Sequence, residues 1–207
     1  MNSDEYLKAA TDLYEADKNC SQIGLLSLEY TDINMDDAYK IQSLLVKKKA
    51  SKVNNVIGWK IGLTSKAMQN ALNIDIPDSG VLLQDMIFQN GGIVPPKRFI
   101  QPRIEAEIAF VMKADLSGKV SRNDVLSATE YVCPSIEILD TRIVRQDKKT
   151  GMTRTVFDTI ADNAANAGIV LGDEQHHPEK FDLSWVGAIV TRNGQVEETG
   201  LGGGVLG

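Results

Sequence analysis

In the stretch Gln101-Pro-Arg-Ile-Glu-Ala-Glu-Ile-Ala-Phe-Val-Met112, residues Ile104 to Met112 carry the clearest strand signal in the chain, and the fold is read outward from them. Successive strand side chains point to opposite sides, so Glu105, Glu107, Ala109 and Val111 share one face. Ile104, Ala106, Ile108, Phe110 and Met112 share the other, and this wholly apolar face is expected to lie on the core. Downstream, Asn123 to Thr129 predicts a turn or two of helix, and Pro134 leads into a short strand from Ser135 to Leu139 with Glu137 at its middle. Residues 145–155, with Arg145, Lys148, Lys149, Gly151 and Arg154, read as an exposed loop of the kind that serves as a lid. Trp185 to Thr191 and Gln195 to Thr199 flank Arg192-Asn193-Gly194, a hairpin signal.

Upstream, Val56 to Ile61 reads as a strand ending at Gly62, and Lys66 to Leu72 as a short helix capped by Thr64 or Ser65. Pro77, Asp78 and Gly80 mark a turn into a buried strand at Val81-Leu82-Leu83, and a loop with Pro95 and Pro96 follows. Nearer the N-terminus, Tyr6, Ala10, Leu13, Tyr14 and Ala16 fall at helical spacing between Asp4 and Asp17, with Ser3 available as N-cap. A second helix is expected from Met35 to Ala50. Asp36 and Asp37 at its start and Lys47, Lys48 and Lys49 at its end complement the helix dipole. The chain is therefore an α+β protein, with an N-terminal helical lobe over residues 1–52 and a strand-rich domain over 53–207.

At 207 residues, 43% hydrophobic and 24% charged, the chain can bury a real core. Its net charge of −6 argues against nucleic acid as a partner. Cys20 and Cys133 lie far apart without CxxC spacing, and neither a signal peptide nor a long apolar span is visible, so a reduced, cytoplasmic protein away from membranes is expected. An acidic chain attracts an anionic substrate only where a metal or local Lys and Arg gather. The ending Gly200-Leu-Gly-Gly-Gly-Val-Leu-Gly207 resembles the interior of a domain, and a further C-terminal segment is expected; a flexible Gly-rich tail is the other reading. No helix follows it, which removes a phosphate-loop reading.

Glu105 and Glu107 repel one another on one strand face, and a divalent cation relieves such repulsion. With Glu137 they form an oxygen-only set that suits Mg²⁺ or Mn²⁺; zinc would want His or Cys ligands. By spacing alone, a solvent-facing pair on a half-exposed strand is the ordinary alternative. Glu137 says more, since it interrupts the apolar run Ser-Ile-Glu-Ile-Leu and a buried carboxylate needs a partner, for which Arg142 is the other candidate. Lys60 lies among apolar neighbours, drawn into a cleft or snorkelling to solvent. Asp78 is a candidate site residue or a turn cap, and His176-His177 reads as surface loop.

Taken together, Gly58-Trp-Lys-Ile-Gly-Leu-Thr-Ser-Lys66, Ile76-Pro-Asp-Ser-Gly-Val-Leu-Leu83, Gln101 to Phe110, Ser135-Ile-Glu-Ile-Leu-Asp140, Ile160-Ala-Asp-Asn-Ala-Ala165 and Glu197-Glu-Thr-Gly200 resemble the 2-oxo-enoate hydratase and 4-oxalocrotonate decarboxylase group of the fumarylacetoacetate hydrolase superfamily. Lys66-Ala-Met-Gln69 and Thr153-Arg-Thr-Val-Phe-Asp-Thr-Ile160 are most similar to the branch hydrating 2-oxohept-4-ene-1,7-dioate in aromatic-compound catabolism. The resemblance implies a distorted β-barrel, Mg²⁺ on Glu105, Glu107 and Glu137, Lys60 and Asp78 as catalytic residues, a homo-oligomer and a lyase acting on a small 2-oxo acid. For a dioate, Arg142, Arg145, Lys148, Lys149 or Arg154 would meet the far carboxylate. A decarboxylase of the same group and a non-catalytic partner subunit are the alternatives. A C–C hydrolase would want a histidine at the site.

Overall fold

A computed structural model describes residues 1–71 and 74–205, so Leu72 of the expected short helix and the last two residues of the glycine-rich ending lie outside the described residues. In chain order the elements are α1 (Ser3–Lys18), α2 (Leu26–Glu29), α3 (Met35–Lys49), β1 (Val56–Gly62), α4 (Lys66–Ala71), β2 (Asp78–Leu83), β3 (Ile87–Phe88) and β4 (Arg103–Met112). They continue with α5 (Arg122–Ala128), β5 (Thr129–Leu139), α6 (Val156–Ala161), β6 (Asn166–Leu171), β7 (Gly187–Arg192) and β8 (Gln195–Leu201). The class is α+β, as the sequence pattern indicates. No helix among the described residues is long and apolar enough to cross a membrane.

Helix α1 starts one residue earlier than expected. Asn2, not Ser3, is its N-cap, accepting from Asp4 N and Glu5 N at 3.0 Å each while Glu5 reaches back to Asn2 N. Asn34 and Asp37 form the same reciprocal box at the start of α3. Both helices bury one stripe, Leu13 from α1 and Ile41 from α3 being fully enclosed, each worth about 2 kcal/mol in apolar burial. Their core also takes in Ile143, Ile160 and Ala161, from beyond residue 52. Gln42 of α3 donates to Ser79 O at 2.8 Å and Ile160 O at 3.1 Å, tying the helices to β2 and α6.

The main sheet has the order β3-β6-β5-β4, with β3 parallel to β6 and the other pairs antiparallel; β1-β2 and β7-β8 are separate two-stranded ribbons. The apolar face of β4 is not covered as expected: Ile104 is 63% and Phe110 41% exposed. Alternation fixes which residues share a face but not what lies opposite, and the helical core packs elsewhere. Strand β5 is longer than expected and runs through Pro134. The Pro134 carbonyl accepts from Gly172 N at 2.8 Å at the end of the β5–β6 pairing, just past Ser135–Leu171, so its missing N–H costs one terminal bond and interrupts no interior part of the ladder.

The 145–155 stretch is a tight excursion, closed by a bridge between Gln146 and Thr153 and by Arg154 N donating to Arg145 O at 2.9 Å. The expected hairpin forms around Asn193-Gly194, both with positive φ, but Trp185 lies in a 3-10 turn before it. Three consecutive non-glycine residues, Asn163, Ala164 and Ala165, have φ of 55°, 53° and 57°, a strained left-handed turn leading into β6.

Candidate metal centre

The pairing of β4 with β5 sets Glu105 directly opposite Glu137, and Glu107 follows two residues along the same face. Cross-strand partners point to the same side of a sheet, so the three carboxylates converge, each with a ligand oxygen within 4.8 Å of the others. Glu105 is exposed, Glu107 half-buried and Glu137 buried, so the cluster opens on one side. Burial pushes the Glu137 carboxyl up to about 7, against the pull of Lys60 and with help from Glu107 and Glu105. Burial also raises Glu107, again against Lys60 and with Glu105 adding to it.

Lys60 arrives from β1, its Nζ 3.3 Å from Glu137 Oε1. The contact is an ion pair without hydrogen-bond geometry, and both Glu137 oxygens are buried with no hydrogen-bond partner among the described residues. Snorkelling is thus excluded for Lys60, whose side chain is 9% exposed. Asp78 lies diagonally from Lys60 on the same ribbon, because Gly62 pairs with Asp78 and Lys60 with Gly80. Burial raises the Asp78 carboxyl, with Lys60 and the Gly62 backbone opposing, and its Oδ1 is buried and unpartnered.

Two glycines make this approach possible. A Cβ at position 62 would fall 2.3 Å from Asp78 Oδ1 and 3.1 Å from Lys60 Nζ, and one at 80 would fall 2.6 Å from Asn163 O. Asn163 grips the same ribbon: Val81 N donates to its Oδ1 at 2.8 Å, and its Nδ2 donates to Val81 O at 2.9 Å. Asn166 Nδ2 adds a second bond to Val81 O at 3.0 Å. Gly62, Gly80 and Asn163 lie within the motifs quoted from the sequence, yet nothing in their residue types assigns these contacts.

Arg142 is not the partner of Glu137. It is buried and donates its Nε to Asp162 Oδ1, its backbone N to Asp162 Oδ2 at 2.8 Å and an Nη2 hydrogen to Asp162 O at 2.8 Å. It is equally unavailable to a substrate. His176 and His177 lie away from the cluster as expected: the His176 backbone exchanges hydrogen bonds with Val132, and His177 is exposed. The run Glu197 to Gly200 lies on β8, exposed throughout.

An oxygen-only cluster with unsatisfied buried carboxylate atoms fits a hard divalent cation. No established family profile matches the chain. It is 47% identical over 195 residues to the 2-oxo-hept-4-ene-1,7-dioate hydratase of Escherichia coli, covering 94% of this chain and 73% of that protein. Over 198 residues it is 41% identical to a 2-hydroxypent-2,4-dienoate hydratase of Pseudomonas putida, covering 95% of this chain and 86% of that one. The solved 4-oxalocrotonate decarboxylase from Pseudomonas putida G7, complexed with magnesium and adipate, superposes with a TM-score of 0.90 at 31% identity, covering 100% of this chain and 77% of that one. Its complex with calcium and acetate, again at 31% identity, gives a TM-score of 0.88 and covers 100% and 76% of the two chains. The chain belongs to the 2-oxo-enoate hydratase family. Within that family, relatives at 38–47% identity include enzymes named 2-oxo-hept-4-ene-1,7-dioate hydratase and 2-keto-4-pentenoate hydratase.

Proposed function

We propose that the protein is a hydro-lyase that adds water to a 2-oxo-enoate acid at a divalent-metal centre held by Glu105, Glu107 and Glu137. The preferred substrate is 2-oxohept-4-ene-1,7-dioate, giving 4-hydroxy-2-oxoheptanedioate in the breakdown of aromatic compounds. The observation that carries the metal reading is the pair of buried Glu137 oxygens without hydrogen-bond partners, facing two further carboxylates. A carboxylate so placed is costly unless a cation meets it. Relatives that are hydratases, and a structural neighbour complexed with magnesium, support the chemistry and favour Mg²⁺, with Mn²⁺ as the alternative ion. The same reading includes a fumarylacetoacetate-hydrolase-like barrel around the sheet, a homo-oligomer and a cytoplasmic setting.

When bound, the ion supplies Lewis acidity to the 2-oxo carboxylate end of the substrate, where negative charge develops. The chain's own groups move the protons. A proton leaves C3 and one is delivered to C5, shifting the double bond into conjugation with the ketone. Water then attacks C4, its oxygen forming the new C–O bond as one of its O–H bonds breaks and gives that proton to a carrier, and a proton is returned to C3. Asp78 and Lys60 are the carriers. Burial raises the Asp78 carboxyl above the ordinary aspartate range, so it holds a proton more readily than an exposed aspartate, and Lys60 stands beside it on the ribbon.

The test is a spectrophotometric assay with 2-hydroxyhepta-2,4-dienedioate after chelation and again with Mg²⁺ restored, following the dienol absorbance and identifying the product by mass. Metal-dependent gain of water is expected. Loss of CO₂ instead would make the protein a decarboxylase, and no turnover by a folded, metal-loaded protein would make it a non-catalytic partner.

A further inference from the structure

Among the described residues Arg154 forms no ion pair, although the charges of Asp162 and Asp158 reach it. Its Nη1 is buried and has no hydrogen-bond partner. Burial, with Arg145 and Arg142 close by, holds its guanidinium below the usual arginine range, although Asp162 and Asp158 oppose this. Both of those acids are committed elsewhere. Asp162 accepts from the Nε and backbone N of Arg142. Asp158 accepts from Ser27 N and Oγ and from Thr155 N and Oγ.

Arg145 is bound to Arg154 through the backbone, Arg154 N donating to Arg145 O at 2.9 Å. Burial and the charge of Arg103 hold Arg145 down in the same way. Arg103 stands on β4 two residues before Glu105 and therefore on the same face as Glu105 and Glu107. Arg154, Arg145 and Arg103 thus feel one another's charge in sequence, and Arg103 shares its strand face with the carboxylate cluster. Lys148 and Lys149, at the tip of that loop, are exposed. Like charges held together and partly desolvated are unfavourable until an anion joins them, and the flat guanidinium fork matches a carboxylate.

We infer that Arg154, with Arg145 beside it, receives the second carboxylate of a dicarboxylic substrate whose 2-oxo acid end meets the Glu105–Glu107–Glu137 centre. This rests on the hydratase reading of that centre. A monocarboxylic 2-oxo-enoate would leave Arg154 unpaired, so this residue is where the protein tells a dioate from a shorter acid.

The experiment compares wild type, Arg154→Met and Arg154→Lys, each with Mg²⁺, on 2-hydroxyhepta-2,4-dienedioate and 2-hydroxypenta-2,4-dienoate. Arg154→Met is expected to raise KM for the diacid about ten- to a hundredfold, and to leave that for the monoacid within about twofold. Arg154→Lys is expected to keep part of the preference. The ligand-free Tm of Arg154→Met should not fall, because a buried charge without a partner has been removed. Equal KM changes for both acids would overturn the assignment. So would a lower Tm with an unchanged diacid KM, which would make Arg154 a structural partner of Asp158 and Asp162. If wild type turns over neither acid, the hydratase reading falls. Calorimetric titration of adipate into wild type and Arg154→Met then decides the anion site separately: tighter binding by wild type supports it, and equal affinity overturns it.

Discussion

Replacing Glu137 by glutamine separates what the carboxylate cluster costs from what it binds. In the metal-free protein burial pushes Glu137 up to about 7, against Lys60 and with the help of Glu107 and Glu105. Its folded-state pKa then lies above its unfolded value of about 4.5, so the folded state holds the proton more tightly. That contribution to stability is fully present below about 4.5 and is lost as pH rises through about 7. At ~1.4 kcal/mol per pH unit the metal-free wild type should lose about 3 kcal/mol between these limits. Glutamine has the same shape and no proton to lose. At pH ~8 in chelator, Glu137→Gln should therefore exceed wild type by about 2 kcal/mol, after a discount for the partner that Lys60 loses. For a chain of this size that is roughly 4–8 °C in Tm.

The assay is thermal unfolding from pH ~5 to pH ~8 in chelator, repeated with saturating Mg²⁺. Wild type should recover its high-pH stability when the ion binds, whereas the variant should gain little. The reasoning is refuted if the metal-free variant melts below wild type at the alkaline end, or if the metal-free wild type melts at the same temperature across the range.

Removing the Arg142 side chain as Arg142→Met should cost about 3–5 kcal/mol, because Asp162 is left buried without its cation; the denaturation midpoint reads this, and adding Asp162→Asn should restore part of the loss. Asn163→Ala removes the two hydrogen bonds that Asn163 makes with Val81, leaving Val81 O only Asn166, and should lower stability by about 2 kcal/mol, with kcat falling while Mg²⁺ affinity, measured by calorimetry, changes little. Gly80→Ala drives a Cβ to 2.6 Å from Asn163 O, and a loss of about 1–3 kcal/mol together with a lowered kcat is expected in the same measurements.

Features set by side-chain period and local chemistry were legible in the sequence. Alternation over β4 put Glu105 and Glu107 on one face, and the acidic break in an apolar run singled out Glu137, yet only the β4–β5 register sets Glu137 opposite Glu105. The start of α3 at Met35, with Asp36 and Asp37 in its first turn, and the hairpin at Asn193-Gly194 obey rules that act over a few residues. Burial is different, because it depends on what packs against a face. Ile104 and Phe110 have the pattern of core residues and stand exposed, whereas Arg142, which reads as a loop cation, is buried on Asp162. Partner choice for a long charged side chain is settled by tertiary geometry, so the exchange of Arg142 for Lys60 beside Glu137 could not be read from spacing.

The same geometry explains why the helices and the strands carrying the carboxylate cluster share one frame. A buried carboxylate near pH 7, an unpartnered Asp78 oxygen and three left-handed residues at Asn163–Ala165 all oppose folding. The opposing contribution lies mainly in the core where α1 and α3 enclose Ile143 and Ile160. It reaches the site through a short chain of contacts. Gln42 holds Ser79 O and Ile160 O, Asp162 at the end of α6 fixes Arg142, and the next residue, Asn163, clamps β2 at Val81. Stability gained in the helical core is thus transmitted to the strand that carries Asp78. The polar residues along that path hold a strained site in position, which an apolar core alone would not do.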